Sequence, residues 1–313
     1  MQKLHGPTYR HSGEQCQDPI IYITDHHYDA DEQCYHVDRL LNGSESTIIF
    51  DHVVSHSDLL QRYNLLYFPS FIAKENQQFV EQKIIPEWSN KTATFNFMIN
   101  KPRPHRIILL ELIAKYQLTN YCYSLPWQSN TINEIPVTNY AFGPEITMER
   151  GIRNGSFKNA HTYQGLLQKT VFEPACISLI TEPAYFERET IPTEKTLMAM
   201  YAGTFPIWVG GWQIADYMSS LGFDVFDDVI DHSYQSVENP ADRCRLAVEL
   251  NIDLLRDFDR VANLINSCQD RLKKNVELLE QNVFLDFCNN QIKQNQGQIQ
   301  SALIDILTQF VVQ

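Results

Sequence analysis

Residues 192–210 read Pro192-Thr193-Glu194-Lys195-Thr196-Leu197-Met198-Ala199-Met200-Tyr201-Ala202-Gly203-Thr204-Phe205-Pro206-Ile207-Trp208-Val209-Gly210. A polar loop enters a short apolar helix, turns at a glycine, and leaves as a buried strand that ends in glycine. Thr193 is the natural N-cap of that helix. The first turn behind it offers free backbone N–H groups at the positive end of the helix dipole. An anion is favoured there. Lys195 adds a point charge suited to phosphate. Glu194 adds an acceptor pair suited to two vicinal sugar hydroxyls. The stretch therefore suits a nucleoside diphosphate. The same residues also suit an ordinary αβ unit with two solvated charges, and both readings stay open at this point.

A second unit lies upstream. Residues 92–99 (Thr92-Ala93-Thr94-Phe95-Asn96-Phe97-Met98-Ile99) alternate like a strand. Asn100-Lys101-Pro102-Arg103-Pro104-His105-Arg106 is a basic loop broken by prolines, and residues 107–116 read as a helix. Arg106 falls in the first turn of that helix or just before it. There its planar fork of donors can reach a diphosphate. Arg103 competes for that role, and a basic loop capping a surface helix is the plainer alternative.

These two units together resemble the donor-binding region of the α1,3-fucosyltransferases, glycosyltransferase family 10. The family pattern runs roughly Phe-Glu-Asn, a short loop, Tyr-Val-Thr-Glu-Lys, a helix, then Gly-x-x-Pro-Ile. Here Ile177-Ser178-Leu179-Ile180-Thr181-Glu182 precedes Thr193-Glu194-Lys195 and Gly203-Thr204-Phe205-Pro206-Ile207. The chain departs from the family in reading Ile180-Thr181-Glu182-Pro183 at the Phe-Glu-Asn block, and its loop before Thr193 is slightly longer. Asn100, Arg103 and Arg106 fall where the family places Asn and Arg before a helix. The resemblance covers roughly residues 92 to 235.

The resemblance implies an inverting, metal-independent transferase that moves a sugar from a GDP-sugar, GDP-fucose first, to a hydroxyl acceptor on a glycan or protein. A modified nucleobase is a further acceptor class. It implies no cofactor beyond the donor substrate. Arg106 and Lys195 would neutralise the diphosphate, Glu194 would hold the ribose, and Thr193 would order the helix mouth. Glu182, in the slot of the family's carboxylate, would contact the sugar or support Lys195. A carboxylate of the N-terminal domain would act as base. Asp25 and Asp51, at the ends of expected strands, are the candidates, with Glu75 behind them. Two alternatives remain. One is a transferase using another nucleotide sugar. The other is a catalytically silent nucleotide-sugar-binding protein whose helical tail serves assembly.

At 313 residues with 43% hydrophobic and 20% charged content, the chain suits a globular protein of one large or two medium domains. A net charge of −13 argues against nonspecific binding to nucleic acid or anionic membrane. No apolar run approaches the ~20 residues of a membrane span, and the polar N-terminus lacks a signal segment. The expectation is a cytoplasmic bacterial or viral protein. The seven cysteines are scattered without C-x-x-C spacing, as free thiols in a reducing compartment would be. Asp29-Ala30-Asp31 and the histidines near it read as solvated loop, so no metal ligand is assigned. Asp227, Asp228 and Asp231, beside His232, read as caps, and these acids would repel phosphate. Nucleophile elbows, P-loops and dinucleotide fingerprints do not occur.

Strands alternating with helices predict a parallel-sheet α/β fold of the GT-B kind, with two Rossmann-like domains and a helical C-terminal extension. Residues 1–18 are an arm. Residues 19–91 are an N-terminal α/β domain on the acceptor side, with strands at 19–24, 46–51 and 65–68 and helical stretches at 35–41 and 57–63. Residues 92–239 form the nucleotide-sugar-binding domain, with strands at 93–99, 121–123, 176–181, 205–209 and 223–226. Residues 240–313 are helical, with a break over 289–300. Their apolar residues, from Leu246 to Val283 at spacings of three and four, serve either to pack back on the domains or to dimerise the chain.

Overall fold

The computed structural model describes residues 22–24, 47–50, 53–54, 64–67, 69–81, 88, 91–99, 103–124, 131–132, 135–136, 168–182, 189–190 and 192–294. Over these residues the chain is α/β, with two parallel sheets and many helices. In chain order, β1 (Tyr22–Thr24), β2 (Thr47–Phe50), β3 (Val53–Val54) and β4 (Asn64–Tyr67) come first. β1, β2 and β4 pair in parallel, in that order. The stretches at 1–18, 29–31, 35–41 and 57–63 lie outside the described residues.

Next come α1 (Ser70–Glu81), β5 (Ala93–Met98), α2 (Pro104–Lys115), β6 (Tyr121–Ser124), the short pair β7 (Thr131–Ile132) and β8 (Ile135–Pro136), and β9 (Ala175–Ile180). After them follow β10 (Glu189–Thr190), α3 (Glu194–Tyr201), β11 (Phe205–Trp208) and α4 (Ile214–Ser220). The second sheet has the order β6-β5-β9-β11, all parallel. The chain starts in the middle at β5, winds outward through α2 to β6, then crosses to β9 and winds the other way through α3 to β11. The winding therefore reverses between β5 and β9.

Every residue of β5, β9 and β11 is buried, as strands covered on both faces require. Alternate residues serve the two faces. Phe95, Phe97, Ile177, Leu179, Phe205 and Ile207 pack toward α2. Met98, Ile180 and Trp208 pack toward α3. The polar residues between them form a buried chain: Asn96 Nδ2 donates to Ser178 Oγ (3.0 Å), Ser178 Oγ meets Thr204 Oγ1 (2.8 Å), and Thr204 Oγ1 donates to the Ala199 carbonyl (2.9 Å). These bonds satisfy most of the buried polar atoms, with Asn96 Oδ1 left unbonded.

The C-terminal region holds α5 (Pro240–Glu249), α6 (Ile252–Arg256), α7 (Phe258–Ser267), α8 (Gln269–Glu280) and α9 (Val283–Gln294). Most of its apolar spacing packs inside this chain, while Leu250 is 43% exposed. Leu254, Val261, Ile265 and Leu272 join the α2-side core. Val276, Leu279 and Phe284 join the α3-side core, together with Ile72 and Phe79 of α1.

Two sequence expectations fail. Residues 223–226 form no strand, because the side chain of Asn275 takes up the main-chain groups of Asp224 that a neighbouring strand would have bonded. The break expected over 289–300 does not begin at 289, since α9 continues through Asn289 and Asn290 to Gln294; residues 295–300 lie outside the described residues. Burial of Phe284 and Cys288 at 0% exposure anchors that helix despite its poor helix formers.

Candidate functional site

Ligands of open parallel sheets bind outside the carboxyl ends of the strands, where the winding reverses. In this chain that place is bounded by the ends of β5 and β9, and three chain segments meet there. The first turn of α2 supplies Arg106, the residues after β9 are Thr181 and Glu182, and the mouth of α3 carries Thr193, Glu194 and Lys195.

Pro104 at the first helical position sets the entry of α2, and Arg103 is its N-cap residue without a side-chain cap bond. Arg106 is 4% exposed and donates through Nη2 to the Thr181 carbonyl at 3.1 Å. Burial, then the neighbouring Arg103, lowers its pKa to about 10, against the pull of Glu182 and Glu194. It is still cationic at neutral pH. His105 is 0% exposed. Burial first, then the Arg106 and Arg103 charges, hold its pKa well below the usual value, although the nearby Glu182 backbone opposes them. The ring is therefore neutral.

Thr193 is the N-cap of α3 in extended backbone conformation. The anion at this helix mouth is the protein's own. Glu182, fully buried, accepts at Oε1 from the Thr193 N–H (2.9 Å) and the Thr196 hydroxyl (2.6 Å), and at Oε2 from the Thr193 hydroxyl (2.5 Å). Burial raises its pKa, opposed by the Lys195 charge and the two threonine hydroxyls. Lys195 Nζ lies 2.7 Å from Glu194 Oε1 and 3.2 Å from Thr193 Oγ1. The side chains of Lys195 and Glu194 are 10% and 26% exposed. Burial pushes the Glu194 carboxyl up, but the Lys195 charge and hydrogen bond outweigh it and the net shift is down.

Three cations and two carboxylates thus gather at one strand-end junction. Asp25, Asp51 and Asn100 lie outside the described residues; Glu75 lies on α1. Sequence reasoning missed His105, Thr181, Thr196 and Trp208. Thr196 follows Thr193 at helical i,i+3 spacing, a signal that places both hydroxyls on one face. Trp208 ends β11, and its Nε1 donates to Thr196 Oγ1 at 2.9 Å. The backbone link between β10 and β3, Glu189 opposite Val54 and Thr190 opposite Val53, also left no sequence signal.

Beyond Trp208, whose ring lies 5.5 Å from that of His232, a cavity of about 580 Å³ is lined by Asp216, Asp227, Asp228, Asp231, His232 and Gln235 among others. Two of its acids have structural partners. Asp231 Oδ1 caps the turn at Ser233, and Asp228 binds Arg271. Among the described residues, no group of three or more His, Cys, Asp or Glu could hold a metal, and no helix is long and apolar enough to cross a membrane. Cys122, Cys176, Cys244, Cys268 and Cys288 are free thiols.

No protein-family model matches the chain, and no curated protein matches it. Among solved structures, the chain is similar to the DNA modifying enzyme beta-glucosyltransferase, solved in the presence and absence of the substrate uridine diphosphoglucose. The TM-score is 0.37 at 11% identity, over 80% of this chain and 67% of that one. A superposition at that score does not establish a shared fold.

Proposed function

We propose that this chain is a glycosyltransferase that binds a nucleotide sugar, a GDP-sugar and GDP-fucose first, outside the carboxyl ends of β5 and β9. One observation carries the reading. Arg106 and the Thr193-Glu194-Lys195 mouth, 87 positions apart at their nearest and read separately from the sequence, are both bonded to the Thr181–Glu182 segment at the winding reversal. The resemblance of those same residues to family 10 supplies the donor class.

In the proposed reaction, an N-terminal carboxylate, Asp25 or Asp51, takes the proton of the acceptor hydroxyl. The oxygen attacks the anomeric carbon from the face opposite the diphosphate. The bond from that carbon to the diphosphate oxygen breaks, its electron pair leaves with GDP, and the configuration inverts. Arg106 and Lys195 neutralise the departing charge where a metal would otherwise be needed, and Glu194 binds the ribose hydroxyls. The setting we propose is cytoplasmic, with a glycan or protein acceptor.

The test is isothermal titration of GDP, GDP-fucose and UDP-glucose, with and without magnesium, into wild type and Lys195→Ala. The expected result is magnesium-independent GDP binding that the variant weakens about tenfold or more, as for the loss of a charged hydrogen bond. Absence of guanine-nucleotide binding overturns the proposal.

A further inference from the structure

We infer that Glu182 is a positioning residue of the proposed nucleotide cleft, acting through Thr193 and Thr196 and not by touching the sugar; the inference rests on the transferase reading. Its carboxylate is 0% exposed, so no bound ligand reaches it while the surrounding bonds stand.

The direction of every proton around it is fixed. The Trp208 indole N–H can only donate. Thr196 Oγ1 accepts it at 2.9 Å, so the single hydroxyl proton of Thr196 is directed to Glu182 Oε1, 2.6 Å away. The Lys195 ammonium can also only donate. Thr193 Oγ1 accepts it at 3.2 Å, so the Thr193 hydroxyl proton is directed to Glu182 Oε2, 2.5 Å away. The Thr193 backbone N–H is the third donor. Glu182 accepts at all three contacts, an arrangement that suits the acceptor-only ionised carboxylate. Its charge also answers the positive end of α3, which would otherwise repel the nearby cations.

The main chain of the same segment is tied to α2. Arg106 holds the Thr181 carbonyl at 3.1 Å. Thr181 Oγ1 in turn donates to the Met98 carbonyl at the end of β5 (2.8 Å). Two adjacent residues, Thr181 and Glu182, therefore join the Arg106 half of the cleft to the Lys195 half. Glu182 also turns the Thr193 lone pairs toward the Lys195 amine. Loss of its charge frees the Thr193 rotor and loosens both halves together.

The test compares the dissociation constants of GDP and GDP-fucose in wild type, Glu182→Gln and Thr196→Val, with thermal melts confirming that each variant is folded. Glutamine offers one acceptor oxygen where three donors converge. A positioning role predicts that both constants rise together, about tenfold or more in Glu182→Gln and about threefold or more in Thr196→Val, with their ratio unchanged. The valine variant keeps the test alive if the glutamine variant does not fold. A changed ratio would show that Glu182 contacts the sugar, and unchanged constants would show that it positions nothing; either overturns the inference while leaving the transferase reading intact. Failure of wild type to bind either nucleotide overturns both.

Discussion

Asn275 on α8 closes a two-point hydrogen bond on the main chain of Asp224. Asp224 N–H donates to Asn275 Oδ1 at 2.8 Å, and Asn275 Nδ2 donates to the Asp224 carbonyl at 2.7 Å. A side chain thereby does what a fifth strand would have done for residues 223–226. With the edge satisfied in this way, Phe226 adopts the left-handed conformation (φ +60) and presses edge-on against Phe205 at 4.9 Å. Asn275 is 3% exposed, so its loss strands a donor and an acceptor near the core. Asn275→Leu is expected to cost about 2–4 kcal/mol in urea-induced unfolding. A loss under 0.5 kcal/mol would mean that water replaces the amide at about no net cost.

Gly203 illustrates a constraint from close approach. Its φ is +59, and a Cβ there would lie 2.8 Å from Cδ2 and Cε2 of Trp88. That indole is held by its own bond, Nε1 to the Tyr201 carbonyl at 3.0 Å, and has little room to yield. Gly203→Ala is expected to destabilise by about 2–4 kcal/mol, strain and overlap together. Trp88→Ala removes the overlap, so the double variant should be more stable than the sum of the two single losses predicts. Additive losses would assign the whole effect to backbone strain.

The central sheet was legible because β5 alternates and β9 and β11 read as mainly apolar runs, with glycine or proline following them. Thr193 as N-cap and Arg106 in the first turn of α2 were legible for the same local reason: caps and first turns are written within four residues. Residues 223–226 misled because Phe223, Val225 and Phe226 are as buried as a strand's side chains while their main chain is bonded by a residue some fifty positions away. Glu182 was placed in the site, but its role as the internal anion of α3 depends on Trp208 and Thr196, whose mutual orientation no local pattern encodes. Helix α1 has no counterpart in the sequence reading. Its main anchors are distant: Asn76 Nδ2 donates to the Leu279 carbonyl at 2.7 Å, and Asn76 Oδ1 accepts from the Tyr201 hydroxyl at 3.2 Å.

Lys91 gives the chain an alkaline signature. Its Nζ donates to the Ala202 carbonyl at 2.7 Å, and burial lowers its pKa from 10.5 to about 8, opposed by Cys176 and Glu173. Between those two values the unfolded chain keeps a proton that the folded chain has released. Stability from this residue therefore rises with pH across that window, and below about pH 8 the full cost of burying the charge is present. Measured against Lys91→Met, wild type should gain up to about 3 kcal/mol between pH 7 and 10.5. A wild-type-minus-variant difference that stays flat over that range would show that Lys91 titrates alike in both states.

Glu194 and Lys195 make the sharpest ligand-side prediction. Their 2.7 Å ion pair occupies the amine that the proposed diphosphate needs, and Glu194, at 26% exposure, is the more accessible partner. Diphosphate binding then exchanges one anion for another on Lys195 and frees the Glu194 carboxylate for the ribose. Glu194→Gln removes the competing charge while keeping the shape. Inorganic pyrophosphate should bind the variant several-fold more tightly than wild type, since about 1 kcal/mol of partly screened ion pair no longer has to be broken. GDP should gain less than pyrophosphate, or lose affinity, because a neutral amide holds two vicinal hydroxyls less well than a carboxylate. The quantity to read is the GDP-to-pyrophosphate affinity ratio, which is expected to fall. An unchanged ratio with tighter binding of both would place Glu194 as a counter-charge alone and move the ribose contact elsewhere. Weaker pyrophosphate binding would mean that the Glu194–Lys195 pair holds the amine in its working position and is kept when the ligand arrives.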